Sequence, residues 1–403
     1  MIKTKIAAAL LATAASVSLA APAEAAPPWS GAWARAQQVA APESWAGPNW
    51  SLTGFADQTL RQELRLTEGG SRLRIELSNV YGDRPLKVAG ATVGLAGPGG
   101  SVVPGTVRTL TFGGRSSVAV AAGRELMSDA ANLRTAALDR ISVTLYFKEA
   151  TGPATFHEAA SDLAYVAGGD RRYSTKSLGT QTSHSSYFLS GAEVSGHGPR
   201  RQSIVTFGDS ITDGVGSAQG ADNRYPDKLA ERLGGRYGVL NAGISGNQVL
   251  ADSPLYGESG LHRFERDALG QPGVRTVVLL EGVNDIGMSG WTGTPVTAEA
   301  LIAGYRTLIA AAHERGVRIV GGTVTPFKGS YYDTPANEAV RDAVNAWIRG
   351  SGEFDAVADF DLAVSDPADR DRMLPLYSAG SDGLHPNDAG LAAMARAIPL
   401  SIL

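Results

Sequence analysis

The stretch VTFGDSITDG, Val205 to Gly214, sets an apolar run directly before Gly208-Asp209-Ser210. A buried strand that ends on glycine and at once offers an acid and a hydroxyl has two readings. It is a plain turn, or it presents a nucleophile at the mouth of a sheet. The rest of the chain decides between them by supplying or withholding partners for Ser210.

Working outward, the segment from Gln202 onward alternates two patterns. Short apolar runs at Ser203–Phe207, Val239–Leu240, Val274–Leu280, Val317–Val324 and Ala356–Phe360 read as strands. Helical stretches separate them. In Thr297–Gly316, Leu301, Tyr305, Leu308 and Ala312 share one face, Thr297 can cap the start and Gly316 ends it. Strand–helix alternation predicts a parallel sheet covered on both faces. Ligands of such sheets lie beyond the carboxyl ends of the strands, where Ser210 falls.

The segment before it is different. From about Trp29 to Gly198 the period is two: apolar and charged residues alternate in Arg72–Leu77, and Ile141, Val143, Leu145 and Phe147 alternate with smaller or polar partners. This half reads as an antiparallel β-sandwich, jelly-roll-like, over residues 26–198, with the α/β domain over 199–403. Ser190–Arg201, rich in glycine and polar residues, reads as the linker. Four of the six tryptophans, Trp29, Trp33, Trp45 and Trp50, sit at the start of the sandwich. They suit a sugar platform, or they pin a terminal segment to a core, and the second use is the commoner one.

Composition removes several function classes. With 36 Lys and Arg against 40 Asp and Glu the net charge is −4, and no basic block suggests a nucleic-acid partner. There is no cysteine, so neither a thiol nucleophile nor a thiolate metal site is available. The six histidines form no His-Glu-x-x-His, and no glycine run leads into a phosphate-binding lysine, so no metal or cofactor is expected. Lys3 and Lys5, the apolar stretch Ile6–Ala20 and Ala23-Glu24-Ala25 read as a cleaved export signal over residues 1–25. Nothing after it is long and apolar enough to span a bilayer. The protein is therefore expected to be secreted, and no protein partner is implied.

Three further stretches follow strand ends or flank helices. They are NAGISGN (Asn241–Asn247), EGVND (Glu281–Asp285) and SDGLHPND (Ser381–Asp388). Ester hydrolysis through serine needs a base, a group that orients the base, and donors for the oxyanion. His385 can be the base. Asp382, three residues earlier, can share one tight turn with it, and Pro386 can start the last helix. The N–H groups of Ser210 and Gly243 and the side-chain amide of Asn284 can be the donors. Asp209 reads as an acceptor for nearby backbone N–H groups, and Asn247 as a brace for its loop. Singly, each has a bland use: a histidine before proline opens a helix, Asn-Asp makes a turn, and a loop glycine is only a loop glycine. Together, beyond the strands of one α/β half, they make a site.

Gly208-Asp209-Ser210-Ile211-Thr212, Gly243 with Asn247, Gly282-Val283-Asn284-Asp285 and Asp382-Gly383-Leu384-His385-Pro386 resemble the SGNH/GDSL hydrolases. The likeness covers Gln202 to the C-terminus. The whole chain, through GFADQTLRQ and LSNVYGDRPL, also resembles secreted bacterial proteins with a β-sandwich ahead of an SGNH domain. The resemblance implies a flavodoxin-like three-layer αβα fold. It also implies Ser210 as nucleophile, His385 as base, Asp382 as its partner, and Gly243 and Asn284 as oxyanion donors. An α/β-hydrolase elbow is excluded, because Thr212 stands where Gly-x-Ser-x-Gly needs its last glycine.

The family fixes a reaction class, not a substrate. Val249–Arg263, Ile286–Pro295, Pro326–Pro335 and Pro375–Gly380 are the expected cleft loops. They bring Tyr256, Trp291, Phe327, Tyr331, Tyr332 and Tyr377 as candidate substrate contacts, with ordinary loop packing as the competing use. The expectation is a secreted esterase for acetyl groups on carbohydrate, a polysaccharide included, or on small esters. Lipase, arylesterase and feruloyl esterase remain open within the family. A glycan-binding protein with an inert SGNH half is the alternative of another class, and the intact Ser210, Gly243, Asn284 and His385 speak against it. Since every required group falls after Gln202, the isolated fragment Gln202–Leu403 is expected to cleave a small aryl acetate, although sandwich residues such as His157 could reach the cleft.

Overall fold

The computed structural model describes residues 29–42, 46–196, 202–292, 295–380 and 382–403, without the side chains of 290–292. The expected export signal, Trp45 and the expected boundary at 198/199 lie outside the described residues.

The C-terminal half carries five parallel strands: β1 (Ser203–Gly208), β2 (Gly238–Gly243), β3 (Val274–Leu280), β4 (Arg318–Gly322) and β5 (Ala356–Ala358). Their spatial order is β2-β1-β3-β4-β5, the doubly wound order of flavodoxin-like sheets. Among the described residues, eight α-helices accompany the sheet: α1 (Ser210–Asp213), α2 (Tyr225–Leu233), α3 (Gly260–Phe264), α4 (Val283–Thr292), α5 (Ala298–Glu314), α6 (Pro335–Gly350), α7 (Phe360–Val364) and α8 (Asp388–Ala397). α2 and α7 pack with α8, while α5 packs with α3 and α6, so both faces of the sheet are covered. α5 follows its sequence pattern: Thr297 Oγ1 accepts from the Ala300 N–H, and Leu301, Tyr305, Leu308 and Ala312 are buried. Burying each large side chain of that stripe stabilises the layer by about 1.5–3 kcal/mol.

The N-terminal half is built on two antiparallel sheets of four and six strands, joined by two-stranded pairs such as Phe156–His157 with Ser186–Tyr187. Their facing residues, among them Leu60, Ile75, Leu77, Val143, Leu145 and Phe147, form a second core. Trp33 is buried in that core, and Trp50 stacks on Tyr187 at 5.7 Å, so both pin the entering chain. Trp29 instead lies under the guanidinium of Arg74 at 4.3 Å.

The expected linker is corrected over its first half. Leu189–Ser195 is a fully buried strand between Ser30–Ala34 and Arg72–Asn79. Its serines, glycine and alanine read as loop, yet small side chains are what a strand crowded on both edges accepts. Residues 197–201 of that linker lie outside the described residues.

The two halves interlock. Strand Ser30–Ala34 belongs to the sandwich, but Arg35 pairs in parallel with Asn241 on the outer edge of β2. Thr67 Oγ1 accepts from the Val239 N–H at 2.9 Å and donates to the Ala32 carbonyl at 2.8 Å. Ala34 and Ala36 lie in the core of the α/β half. An edge strand with unpaired N–H and C=O groups is otherwise open to wrong pairing, and the sandwich covers it. Around the seam, Arg140 pairs with Asp222 at 2.7 Å and Arg65 with Glu231 at 3.0 Å.

Candidate active site

β1 runs into α1 through Asp209, whose Oδ1 accepts from the Ile211 N–H at 2.9 Å and caps the helix. This cap places Ser210 at the first helical position, where backbone N–H groups have no intrahelical partner. Ser210 Oγ lies 2.8 Å from His385 Nε2. His385 Nδ1 lies 2.8 Å from Asp382 Oδ2, and Asp382 Oδ1 accepts from the N–H groups of Leu384 and His385. One tight turn therefore holds acid and base. Burial opposes ionisation of Asp382, but the imidazole and the two N–H groups outweigh it and hold the carboxyl at about 2. An ionised Asp382 accepts only, so Nδ1 carries the hydrogen and Nε2 faces Ser210 as an acceptor. The last helix begins at Asp388 rather than at Pro386, because the Asn387 side chain caps it.

The Asn284 side chain is fixed at both ends. Its Nδ2 donates to the Asn247 carbonyl at 2.9 Å, and its Oδ1 accepts from the Tyr332 hydroxyl at 2.9 Å. An amide nitrogen has two hydrogens, and the second is left for the cleft that Asn284 lines. Asn247 braces its loop, donating to the carbonyls of Tyr256 and Glu258.

The assignment of Gly243 to the oxyanion site is corrected. Gly243 is the last paired residue of β2, and its N–H donates to Asn241 Oδ1 at 2.9 Å. A side chain there would strike the Asp213 backbone nitrogen at 2.3 Å, so the glycine serves close packing of β2 on α1. Three residues on, Gly246 lines the cleft beside Ser210 and Ser245. It has φ +78°, and a Cβ would lie 2.2 Å from the Tyr256 ring. Its N–H has no partner among the described residues. The sequence signal was present in Ser245-Gly246, which lies past the strand end rather than on it.

The cleft holds about 290 Å³ and is bounded by Tyr256, Met288, Tyr331 and Tyr332 near the serine. Of the expected substrate contacts, Tyr256 and Tyr331 border this cleft. Two expected contacts are corrected. Phe327 is fully buried in the core, because its apolar ring packs inward from the loop after β4. Tyr377 packs against the same core and does not border the cleft. The side chain of Trp291 lies outside the described residues.

Behind the serine, buried Arg263 donates to the carbonyls of Ala242 and Gly208 and to Asn247 Oδ1, at 2.7, 2.9 and 2.8 Å. It thereby ties the ends of β1 and β2 to the loop that follows. Burial, with repulsion from Asp285 added, raises the carboxyls of Asp209 and Glu281 despite this arginine. Asp285 is raised to about 6 by burial, although it accepts from the N–H groups of Val249 and Leu250. Outside the cleft lining the carboxylates of Glu338, Asp342 and Asp371 converge, and the Arg341 guanidinium sits among them.

Residues 206–393 match the GDSL-like lipase/acylhydrolase family. The C-terminal half is a GDSL-like acylhydrolase domain. An acetylxylan esterase of Xylanibacter ruminicola is 28% identical over 218 residues, 49% of this chain and 42% of that protein. The chain thus spans less than half the length of this curated relative. Among solved structures, an acetyl xylan esterase from Geobacillus stearothermophilus is 23% identical with a TM-score of 0.38, covering 49% of this chain and 93% of that one. A GDSL-like lipase from Bacteroides thetaiotaomicron is 18% identical with a TM-score of 0.38, covering 50% and 87%.

Proposed function

We propose that this protein hydrolyses carboxylic esters through an acyl-enzyme on Ser210, and that its substrates are acetyl esters of carbohydrate. The observation that carries the reading is the unbroken chain Ser210–His385–Asp382, with both links at 2.8 Å and the serine open to the cleft. Ser210 Oγ attacks the ester carbonyl while its proton passes to His385 Nε2. The imidazolium, steadied by Asp382, returns that proton to the departing alcohol. Water then attacks the acyl group with His385 again as base. Negative charge on the carbonyl oxygen is met by the N–H groups of Ser210 and Gly246 and by Asn284 Nδ2. Such donors act where charge develops and cost no reorganisation during the reaction.

The cleft of about 290 Å³ beside the serine supports a small acyl group. Tyr331, at 60% exposure on the rim, offers a face on which a sugar ring can lie. The similarity to an acetylxylan esterase points the same way. The charged start, the apolar stretch and Ala23-Glu24-Ala25 support export, which cell fractionation tests. A substrate panel tests the chemistry: acetylated xylooligosaccharides, feruloyl esters, aryl acetates and longer acyl chains, with products identified. Acetate release from the first is expected. Preference for long acyl chains would move the assignment to a lipase, and no turnover of any ester would remove it.

A further inference from the structure

The β-sandwich reaches the cleft through a buried polar chain. His157, on the sandwich strand Phe156–His157, is 1% exposed. Its Nδ1 lies 3.0 Å from the Ala36 carbonyl, and its Nε2 lies 3.0 Å from Asp213 Oδ1. Asp213 Oδ2 accepts from Ser245 Oγ at 2.7 Å. Ser245 precedes Gly246, and both border the cleft. Asp213 closes α1, the four-residue helix that Ser210 opens. One short helix therefore holds the nucleophile at its first residue and this tether at its last.

The chemistry of the chain makes it directional. Burial alone would raise the Asp213 carboxyl, but His157, nearby Arg35 and the Ser245 hydroxyl outweigh it and hold it below the ordinary range. An ionised Asp213 only accepts, so the contact at His157 Nε2 is a hydrogen bond donated by the ring. The Ser245 hydroxyl has its hydrogen fixed on Asp213, which sets the turn that carries Gly246. Two more sandwich contacts hold the far end of the same loop. Tyr81 Oη donates to Glu258 Oε2 at 2.8 Å, and Gln38 Nε2 donates to the Leu255 carbonyl at 3.4 Å.

We propose that His157 is a positioning residue supplied by the β-sandwich, which acts through Asp213 and Ser245 to keep the Gly246 N–H aimed at the oxyanion above Ser210. The inference rests on the esterase reading, and it makes the sandwich part of the active site rather than an appendage.

The test uses the full-length protein and steady-state hydrolysis of p-nitrophenyl acetate, with thermal melts to confirm folding. A displaced donor weakens the transition state more than the ground state, so His157→Leu should lower kcat by about 10–100-fold and leave KM within about threefold. His157→Gln places an amide N–H near Nε2 and should recover kcat to within about fivefold of wild type. Ser245→Ala should also lower kcat, and the double variant with His157→Leu should be no slower than the slower single variant, since the two act as one chain. A merely stabilising histidine would shift the melt without this kcat-against-KM split or the rescue. A folded His157→Leu with unchanged kcat overturns the proposal, as do losses that simply multiply in the double variant. If His157→Leu does not fold, Ser245→Ala decides: unchanged kcat there overturns the proposal, and a kcat loss at constant KM upholds it. Wild-type protein that turns over no ester defeats the esterase reading and this role together, whereas active wild type with indifferent His157 and Ser245 variants defeats this role alone.

Discussion

Asn284→Ala separates the oxyanion role from the scaffold role of the same side chain. Removing the amide takes away one donor aimed at developing charge, which lowers kcat by about 10²–10³, or roughly 2.7–4 kcal/mol, in comparable sites. KM should change little, because the ground-state carbonyl gains little from that donor. The substitution also strands the Asn247 carbonyl and takes the Asn284 acceptor from the Tyr332 hydroxyl. An unpaired buried group costs about 1–3 kcal/mol, so stability should fall by roughly that much where no water replaces the amide. Tyr332→Phe divides the two effects. It leaves the Asn284 amide in place, should cost about 1 kcal/mol of stability, and should leave most of the catalytic rate. Urea melts and steady-state kinetics with p-nitrophenyl acetate read both quantities. A folded Asn284→Ala protein with near-normal kcat, or with its whole loss in KM, would refute the reasoning.

Asp382→Asn should lower kcat by about 10²–10⁴, as loss of the tautomer-holding acid does elsewhere, with KM again little changed. Its effect on stability has a sign: a carboxyl held at about 2 against an ordinary 3.8 contributes stability above about pH 4 and loses it as pH falls through 2. The melting difference between wild type and Asp382→Asn should therefore shrink over that window. The fragment Gln202–Leu403 should fold poorly, because it loses Ala34, Ala36 and the cover of β2; a stable, fully active fragment would contradict the interlocked seam. Exhaustive chelation should leave esterase activity intact, and a loss restored by zinc or calcium would count against metal-free chemistry.

Much of the site was legible because its residues act locally. Asp382 and His385 share a turn, Asp209 caps the helix that begins at Ser210, and the apolar runs mark four of the five strands to within two residues at each end. What was not legible depends on contacts distant in sequence. Gly243 and Gly246 look alike in NAGISGN, and only the register of β2 against β1 shows that the first is still in the ladder. Ser190–Ser195 has a loop composition, yet pairing on both edges makes it a strand. Phe327 follows a proline in a cleft-side loop, and whether its ring turns inward depends on space left by the core. His157 and Asp213 are 56 residues apart and belong to different halves.

The central claim is that Ser210 is the nucleophile. Diisopropyl fluorophosphate phosphorylates a serine activated in this way, and mass spectrometry of the digested protein locates the adduct. One diisopropylphosphoryl group on the peptide containing Ser210, with turnover of p-nitrophenyl acetate lost in proportion to labelling and no label on Ser210→Ala, is the predicted result. A protein that stays unlabelled at Ser210 while it hydrolyses ester at its full rate would contradict it.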